Sequence, residues 1–154
     1  MYITIEFCPI KDKKVCHYLD MPIQHCNDSI LRRMGRRTTK DELVQRIAHL
    51  RERIPDITLR TTLICGFPGE TVENHEELMQ FVNDMEFDRL GVFPYSQEEN
   101  TVAAGLPDQI PEEQKEQRRD ELMELQQAIS YEHGEGMIGK VIDVLIEGYL
   151  YKED

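Results

Sequence analysis

The hydrophobic residues of this chain repeat in two alternating patterns. Short apolar runs, rich in β-branched residues and bounded by Gly, Pro or charged residues, predict strands. Between them, apolar residues recur every three or four positions, as on the buried side of a helix. The predicted strands are Tyr2–Phe7, His17–Ile23, Ile57–Cys65, Asp88–Tyr95 and Gly139–Gly148.

Local signals mark where the helices between these strands begin and end. Thr39, with Glu42 three residues later, has the signature of a capping box. Gly35 is a typical residue just after a helix, and Pro is favoured in a helix's first turn. The predicted helices are Asp28–Met34, a helix from Thr39 to Pro55, one that begins at Thr71, and one from Pro111 to about Tyr131.

This order of elements indicates an α/β fold with parallel strands. Short connections between a strand, a helix and the next strand produce right-handed βαβ units. The last strand follows a long helix and breaks this rhythm. We therefore expect residues 1–138 to form the α/β unit, and residues 139–154 to be the first strand of a separate β-rich module.

Charge and hydropathy narrow the class of protein. The 154 residues carry a formal net charge of −12, which argues against binding to a nucleic-acid backbone by this chain alone. No apolar run approaches the length of a membrane span, and the first residues lack the basic start of a signal peptide. We expect a cytoplasmic protein that does not bind membranes.

The cysteine spacing does not indicate a metal site. Cys8, Cys16, Cys26 and Cys65 form no CxxC or CxxxCxxC cluster, the spacing typical of zinc or iron–sulfur ligation. We expect free thiols, most of them partly buried.

The turn after the third predicted strand is a candidate binding site. Strand-to-helix turns at the carboxyl edge of a parallel sheet are where α/β proteins bind ligands. The turn Gly66–Glu70 lacks the endings of a phosphate-binding loop and of a Rossmann fingerprint. Its glycines either serve only tight backbone geometry or let a ligand approach the backbone, and the local pattern favours neither reading.

Four other residues are candidates for ligand contact. Gln24 ends the second predicted strand, where its amide could reach a polar ligand. Arg60 interrupts an apolar strand and needs a carboxylate partner, either on a ligand or at Asp20. Phe93 and Tyr95 end the fourth strand and either pack in the core or flank a flat ring. These residues indicate a site at the carboxyl ends of the strands, but they define no reaction.

Six longer strings carry further information because they occur in a set order over most of the chain, from about Cys16 to Gly148. Together they resemble the later part of the radical-SAM methylthiotransferase family. The strings are His17–His25, Met34–Thr38, Leu59–Thr71, Phe87–Phe93, Tyr95–Ser96 and Asp108–Glu113.

Within that family the chain is similar to the branch that methylthiolates an aspartate of a small-subunit ribosomal protein. Leu59–Thr62, Phe87–Gly91 and Gln24–His25 carry this similarity. The branch that acts on an adenosine of tRNA typically has Ser-Thr-Asp at Arg60–Thr62 and Gln-Ser-Gly at Gln24–Cys26. A fragment of the tRNA-modifying type and a non-catalytic module that binds a ribosomal protein are the alternatives.

The resemblance implies half of a partial TIM-like (β/α) barrel, with outer helices, followed by a TRAM-like β module at residues 139–154. It also implies S-adenosylmethionine (SAM) and two [4Fe–4S] clusters in the parent enzyme. One cluster, held by CxxxCxxC, cleaves SAM to a 5′-deoxyadenosyl radical that takes a hydrogen atom from the substrate. The second cluster takes part in delivering the methylthio group.

Six residues match family positions that face the cofactor. Ile64 and Gly66 match the strand that borders the adenine, and Phe93 and Tyr95 match the wall of the last strand. Gln24 and Arg60 match strand-end positions near SAM. The resemblance assigns no catalytic residue and no metal ligand to this chain.

The chain departs from the family pattern in one decisive respect, because it contains no CxxxCxxC motif. We therefore expect a fragment that is inactive alone and binds no cofactor. A half-barrel leaves strand edges unpaired, and open edges favour pairing with another chain. We expect a homo-oligomer formed through these edges.

Overall fold

The computed structural model describes residues 15–142 and Gly148. The predicted strand Tyr2–Phe7 lies outside the described residues, as do residues 143–147 of the predicted strand Gly139–Gly148. Strands and helices alternate over the described part, as the sequence predicts. They are β1 (Tyr18–Asp20), α1 (Asp28–Arg33), α2 (Lys40–Arg53), β2 (Thr58–Cys65), α3 (Val72–Met85), β3 (Arg89–Pro94), a 3₁₀ turn at Ala103–Gly105 and α4 (Glu112–Glu135).

The three strands form one parallel sheet in the order β1–β2–β3. Each pair of consecutive strands lies side by side and is joined by helices, which is the βαβ connection that parallel pairing requires. The sheet is open rather than closed on itself in the described residues. This confirms the predicted α/β class and the arrangement of a section of a (β/α) barrel.

The first strand is shorter than the predicted strand His17–Ile23. Asp20 lies opposite Arg60, whereas Gln24 lies opposite Leu63. The first strand thus uses four residues where β2 uses three, which is the geometry of a β-bulge.

A single side-chain hydroxyl group forms hydrogen bonds with the backbone at this bulge. The fully buried Thr61 side chain donates to the carbonyl of Met21 (2.9 Å) and accepts from the N–H of Ile23 (3.4 Å). Between them, Pro22 has no N–H to offer a ladder. Thr61 therefore keeps the chain beside β2 up to Gln24.

The helix starts follow the predicted caps. The Thr39 hydroxyl accepts from the N–H of Glu42 (3.3 Å), and the Glu42 carboxylate accepts from the N–H of Thr39 (3.4 Å). Thr71 forms the same reciprocal pair with Asn74. Pro111, predicted at the first helical position, is the residue just before α4. Across the described segment, no helix combines the length and apolar character that crossing a bilayer requires.

The sheet has two unlike faces. We call the face that carries Leu59, Leu63 and Cys65 the covered face, because these residues are fully or almost fully buried in the core formed with the helices. Side chains alternate along a strand, so Arg60, Thr62 and Ile64 lie on the other face and are only partly buried. We call this the open face. From the helices, the core receives Leu43, Ile47, Leu50, Leu78, Phe81, Val82, Leu122 and Ile129.

Candidate functional site

A cleft of about 510 Å³ lies where the carboxyl ends of the first two strands meet the loop after β3. Its volume is within the range of small-molecule sites. We call it the carboxyl-end cleft. It is lined by Gln24, Arg33, Met34, Gly35, Arg36, Ile64, Phe67, Val102 and Ala103.

A larger opening of about 800 Å³ lies at the opposite end of the sheet. Its walls include Thr58 at the start of β2, Asp88 just before β3 and His133 near the end of α4. Barrels of this type place their sites at the carboxyl ends of the strands. The smaller cleft is therefore the candidate functional site.

Gln24 is held firmly at the wall of this cleft. Its N–H donates to the carbonyl of Thr62 (2.9 Å), and its carbonyl accepts from the N–H of Ile64 (2.8 Å). Its φ of 73° is in the left-handed region, which is unfavourable for a residue with a side chain. The two ladder bonds therefore fix a strained backbone, and they bring together the predicted site residues Gln24 and Ile64.

A buried carboxylate organises the turn after β2. The Glu70 side chain is fully buried and accepts from the N–H of Gly66 (2.8 Å) and of Phe67 (3.3 Å). It also accepts from the Arg118 guanidinium (2.8 Å), which reaches across from α4. Glu70 therefore fixes the position of Phe67 in the cleft wall.

The charge of Glu70 is stabilised by its neighbours. Burial alone would raise the pKa of this carboxyl group, but the interaction with His25 and the charges of Arg118 and His75 outweigh it and lower the pKa. The buried His25 ring accepts from the N–H of Asn27 at Nδ1 (2.9 Å), which leaves Nε2 to carry the proton toward Glu70, at 3.5 Å.

The glycines of the turn are explained by packing within the chain. Gly66 has a φ of +70°, and a Cβ atom there would lie 2.5 Å from Cγ of Lys115. Gly69 has a φ of +81°, and a Cβ atom there would collide with the Arg33 guanidinium, which donates to the carbonyl of Pro68 (3.2 Å). Of the two readings of the sequence, the structure gives direct support to tight backbone geometry.

Tyr95 is part of the support beneath the cleft. It is 8% exposed and packs against Phe67 with ring centroids 5.1 Å apart, edge to face. Ile30 completes this small apolar cluster. The Lys115 ammonium group donates to the Tyr95 carbonyl (3.0 Å) and lies 5.4 Å from the ring centroid. Neither Tyr95 nor Gly66 lines the cleft, and Tyr95 supports it through its contact with Phe67.

Arg60 and Phe93 lie together on the open face instead. Phe93 is 57% exposed, and Gly91 lies between its ring and the Arg60 guanidinium. Arg60 forms an ion pair with Asp20, the internal partner considered from the sequence. Arg60 is the third residue of β2 and lies well before the end of the strand, so it is distant in register from the cleft.

Two thiols in the described residues are buried in the core. Burial raises the pKa of both Cys26 and Cys65 to about 12, so that they are protonated at neutral pH. Within residues 15–142, no group of three or more His, Cys, Asp or Glu is arranged to bind a metal ion. Cys16 is exposed.

Several residues of the site were not predicted. Phe67 and Glu70 stand in the turn that the sequence singled out, but their roles depend on partners from other elements. Arg33 and Arg36 belong to a run of four arginines between positions 32 and 37. This run was a visible signal of local positive charge in a chain of opposite net charge.

Residues 6–82, half of the chain, match the model of the radical SAM superfamily. The chain belongs to this superfamily. It is 57% identical, over 99% of its length, to the ribosomal protein uS12 methylthiotransferase RimO of Lachnoclostridium phytofermentans. It is 53% and 50% identical to the RimO proteins of Clostridium botulinum (strain Okra) and Trichlorobacter lovleyi, over 92% and 90% of its length.

These relatives are much longer than the chain. It spans 37% of the first and 31% of each of the other two. The similarity confirms the predicted resemblance to the methylthiotransferases and to the branch that acts on a ribosomal protein.

Proposed function

We propose that this chain is part of a radical-SAM methylthiotransferase that modifies an aspartate of a ribosomal protein. The observation that carries the proposal is the 57% identity, over 99% of the chain, to a protein named for methylthiolation of ribosomal protein uS12. The protein partner would be that ribosomal protein, and the compartment the cytoplasm.

We also propose that the carboxyl-end cleft contributes to SAM binding. The residues that line the cleft suit SAM chemically. Ile64 and Phe67 offer apolar surface for a flat ring, and Gln24 offers an amide. Gly66 and Tyr95 would support this wall. Arg60 and Phe93 would reach only a part of the ligand that extends over the open face. SAM supplies the hydrogen-abstracting adenosyl radical in this class of reaction.

The iron–sulfur clusters of the parent enzyme would be bound outside the residues described here. Cys26 and Cys65 are buried, protonated thiols, and the sequence has no CxxxCxxC motif. We therefore propose that the isolated chain is inactive and binds SAM weakly. Isothermal titration should detect no strong SAM binding. High affinity would contradict this part of the proposal.

We make two further proposals about the organisation of the chain. Residues 1–138 would form the barrel half, and residues 139–154 would begin the TRAM-like module. The outer strands β1 and β3 would pair with a second copy and form a homo-oligomer. Light scattering after size-exclusion chromatography should give a mass above that of one chain, and a monomer at high concentration would contradict it.

A chimaera tests the main proposal directly. The matching 37% of the L. phytofermentans protein would be replaced by this chain, and uS12 would be analysed by mass spectrometry after incubation with SAM and reductant. We expect a methylthio group on one aspartate. A matched chimaera in a tRNA-modifying methylthiotransferase should be inactive on tRNA. Activity only in the tRNA-modifying host would contradict the proposal.

A further inference from the structure

The cleft has two cations on its rim that have no acidic partner among the described residues. Of the four arginines between positions 32 and 37, Arg32 lies 3.9 Å from a carboxylate, that of Asp28. Arg33 and Arg36 line the cleft and form no ion pair with residues 15–142. The chain has 30 acidic and 18 basic residues, so unpaired arginines here are unexpected if their role is only structural.

The backbone fixes Arg36 in this place. Gly35, with a φ of +74°, donates its N–H to the carbonyl of Arg32 (3.0 Å), and Arg36 donates its N–H to the carbonyl of Leu31 (2.8 Å). These two bonds form a Schellman motif at the end of α1. The position that Arg36 occupies in that motif often holds an apolar residue packed back on the helix. Here it holds an exposed arginine.

The side chains of Arg33 and Arg36 differ in the contacts that they make. One nitrogen of the Arg33 guanidinium is used to bind the carbonyl of Pro68 (3.2 Å), which ties α1 to the turn. Arg36 makes no side-chain contact of this kind in the described part of the chain. Its guanidinium has a planar set of donors that matches a carboxylate.

The loop after β3 brings charge of the other sign near the cleft. It supplies Val102 and Ala103 to the lining and also carries Glu98 and Glu99, which are exposed and lie outside that lining. A ligand that complements both the arginines of the cleft and this acidic loop is a basic polypeptide with one carboxylate. Ribosomal proteins bind RNA and are rich in Lys and Arg for that reason.

We propose that Arg36, assisted by Arg33, binds the carboxylate of the aspartate that is to be modified, and that the acidic loop faces the basic residues around it. This inference rests on the proposed function. The exposure of Arg36 at the rim favours a carboxylate that arrives from solvent on a macromolecule. Arg36 is in this view a specificity-determining residue.

Two short basic peptides test this inference on the 154-residue chain. They are identical except for a central Asp or Asn, and binding is followed by NMR. We expect about fivefold tighter binding of the Asp peptide, the fold-change of an exposed ion pair. Arg36→Gln should remove this preference. Arg32→Gln removes the same charge from a paired arginine and should leave the preference in place. Equal binding of both peptides, or binding of neither, overturns the inference.

A second arm asks whether the carboxylate is that of SAM. SAM and decarboxylated SAM would be titrated at concentrations high enough for weak binding. Arg36→Gln should affect both equally. A loss restricted to SAM assigns Arg36 to the cofactor and overturns the inference. If the chimaera is active but the chain does not prefer the Asp peptide, only this inference is contradicted. If the chain prefers the Asp peptide but the chimaera is inactive, only the proposed methylthiotransferase function is contradicted.

Discussion

The two faces of the sheet differ sharply in burial although they alternate residue by residue. On β3, Val92 on the covered face is 6% exposed, whereas the next residue, Phe93, is 57% exposed. On β2, Leu63 is fully buried and Ile64 is only partly buried. Helix packing on the covered face therefore stabilises this fold. Within the part of the chain that the structure describes, the open face and the cleft at its carboxyl end are accessible to a ligand or a partner.

The largest expected effect on stability comes from the buried ion pair between Glu70, in the turn after β2, and Arg118 on α4. Glu70→Gln would leave Arg118, also buried, without its carboxylate. We expect a loss of about 3–5 kcal/mol in the free energy of unfolding, measured with urea at neutral pH. Glu112→Gln removes an exposed carboxylate from Lys115 and should cost less than about 1 kcal/mol.

This effect should depend on pH in a defined direction. The pKa of Glu70 is lowered in the folded chain, so its contribution is fully present above its unfolded pKa of about 4.3. The contribution is lost as the pH falls through the lower, folded pKa. The difference between wild type and Glu70→Gln should therefore be largest near pH 7 and shrink below about pH 4. A constant difference would contradict the assigned role of the charge.

The second effect compares the two faces directly. Leu63→Ala would open a cavity in the core beneath the helices and should cost about 3 kcal/mol. Ile64→Ala, one residue later on the open face, should cost clearly less, because its side chain is already in partial contact with water. Urea unfolding of both variants gives the comparison. Equal losses would mean that the open face is packed as tightly as the covered one.

The covered face was the part most accessible to prediction. The long elements β2, α2 and α3 follow from their own periodicity and from the caps at Thr39 and Thr71, which are local signals. The bulge after β1 was not predictable in this way. It depends on Thr61 bonding to residues about forty positions away.

The site was predicted only in part, for the same reason. Gln24 and Ile64 do meet at one cleft, because strand ends collect at one edge of a parallel sheet. Tyr95 is buried behind that cleft. Arg60 and Phe93 lie on the open face. The role of Glu70 could not be anticipated, since its charged partners His25 and Arg118 come from the segment after β1 and from α4.

A smaller difference in stability is expected between Gly→Ala variants at two glycines that share the same backbone conformation. Gly66 and Gly35 have φ values of +70° and +74°, but only Gly66 has a neighbour in the way, the Lys115 side chain. Both Gly→Ala variants carry a strain of about 1 kcal/mol. Gly66→Ala should lose about 1 kcal/mol more, because Lys115 must leave the Tyr95 carbonyl. Equal values in urea unfolding would show that Lys115 moves without cost.

The smallest effect concerns the ion pair on the open face. Asp20 and Arg60 are both more than one third exposed, so their coupling energy should be about 0.2–1 kcal/mol. A double-mutant cycle with Asp20→Asn and Arg60→Gln measures it. A coupling near zero would contradict the assigned structural role of the pair and would leave Arg60 available to a ligand on the open face. A coupling of the expected size would make Arg60 a structural residue, and would leave the cleft residues Gln24 and Ile64 as the stronger candidates for cofactor contact.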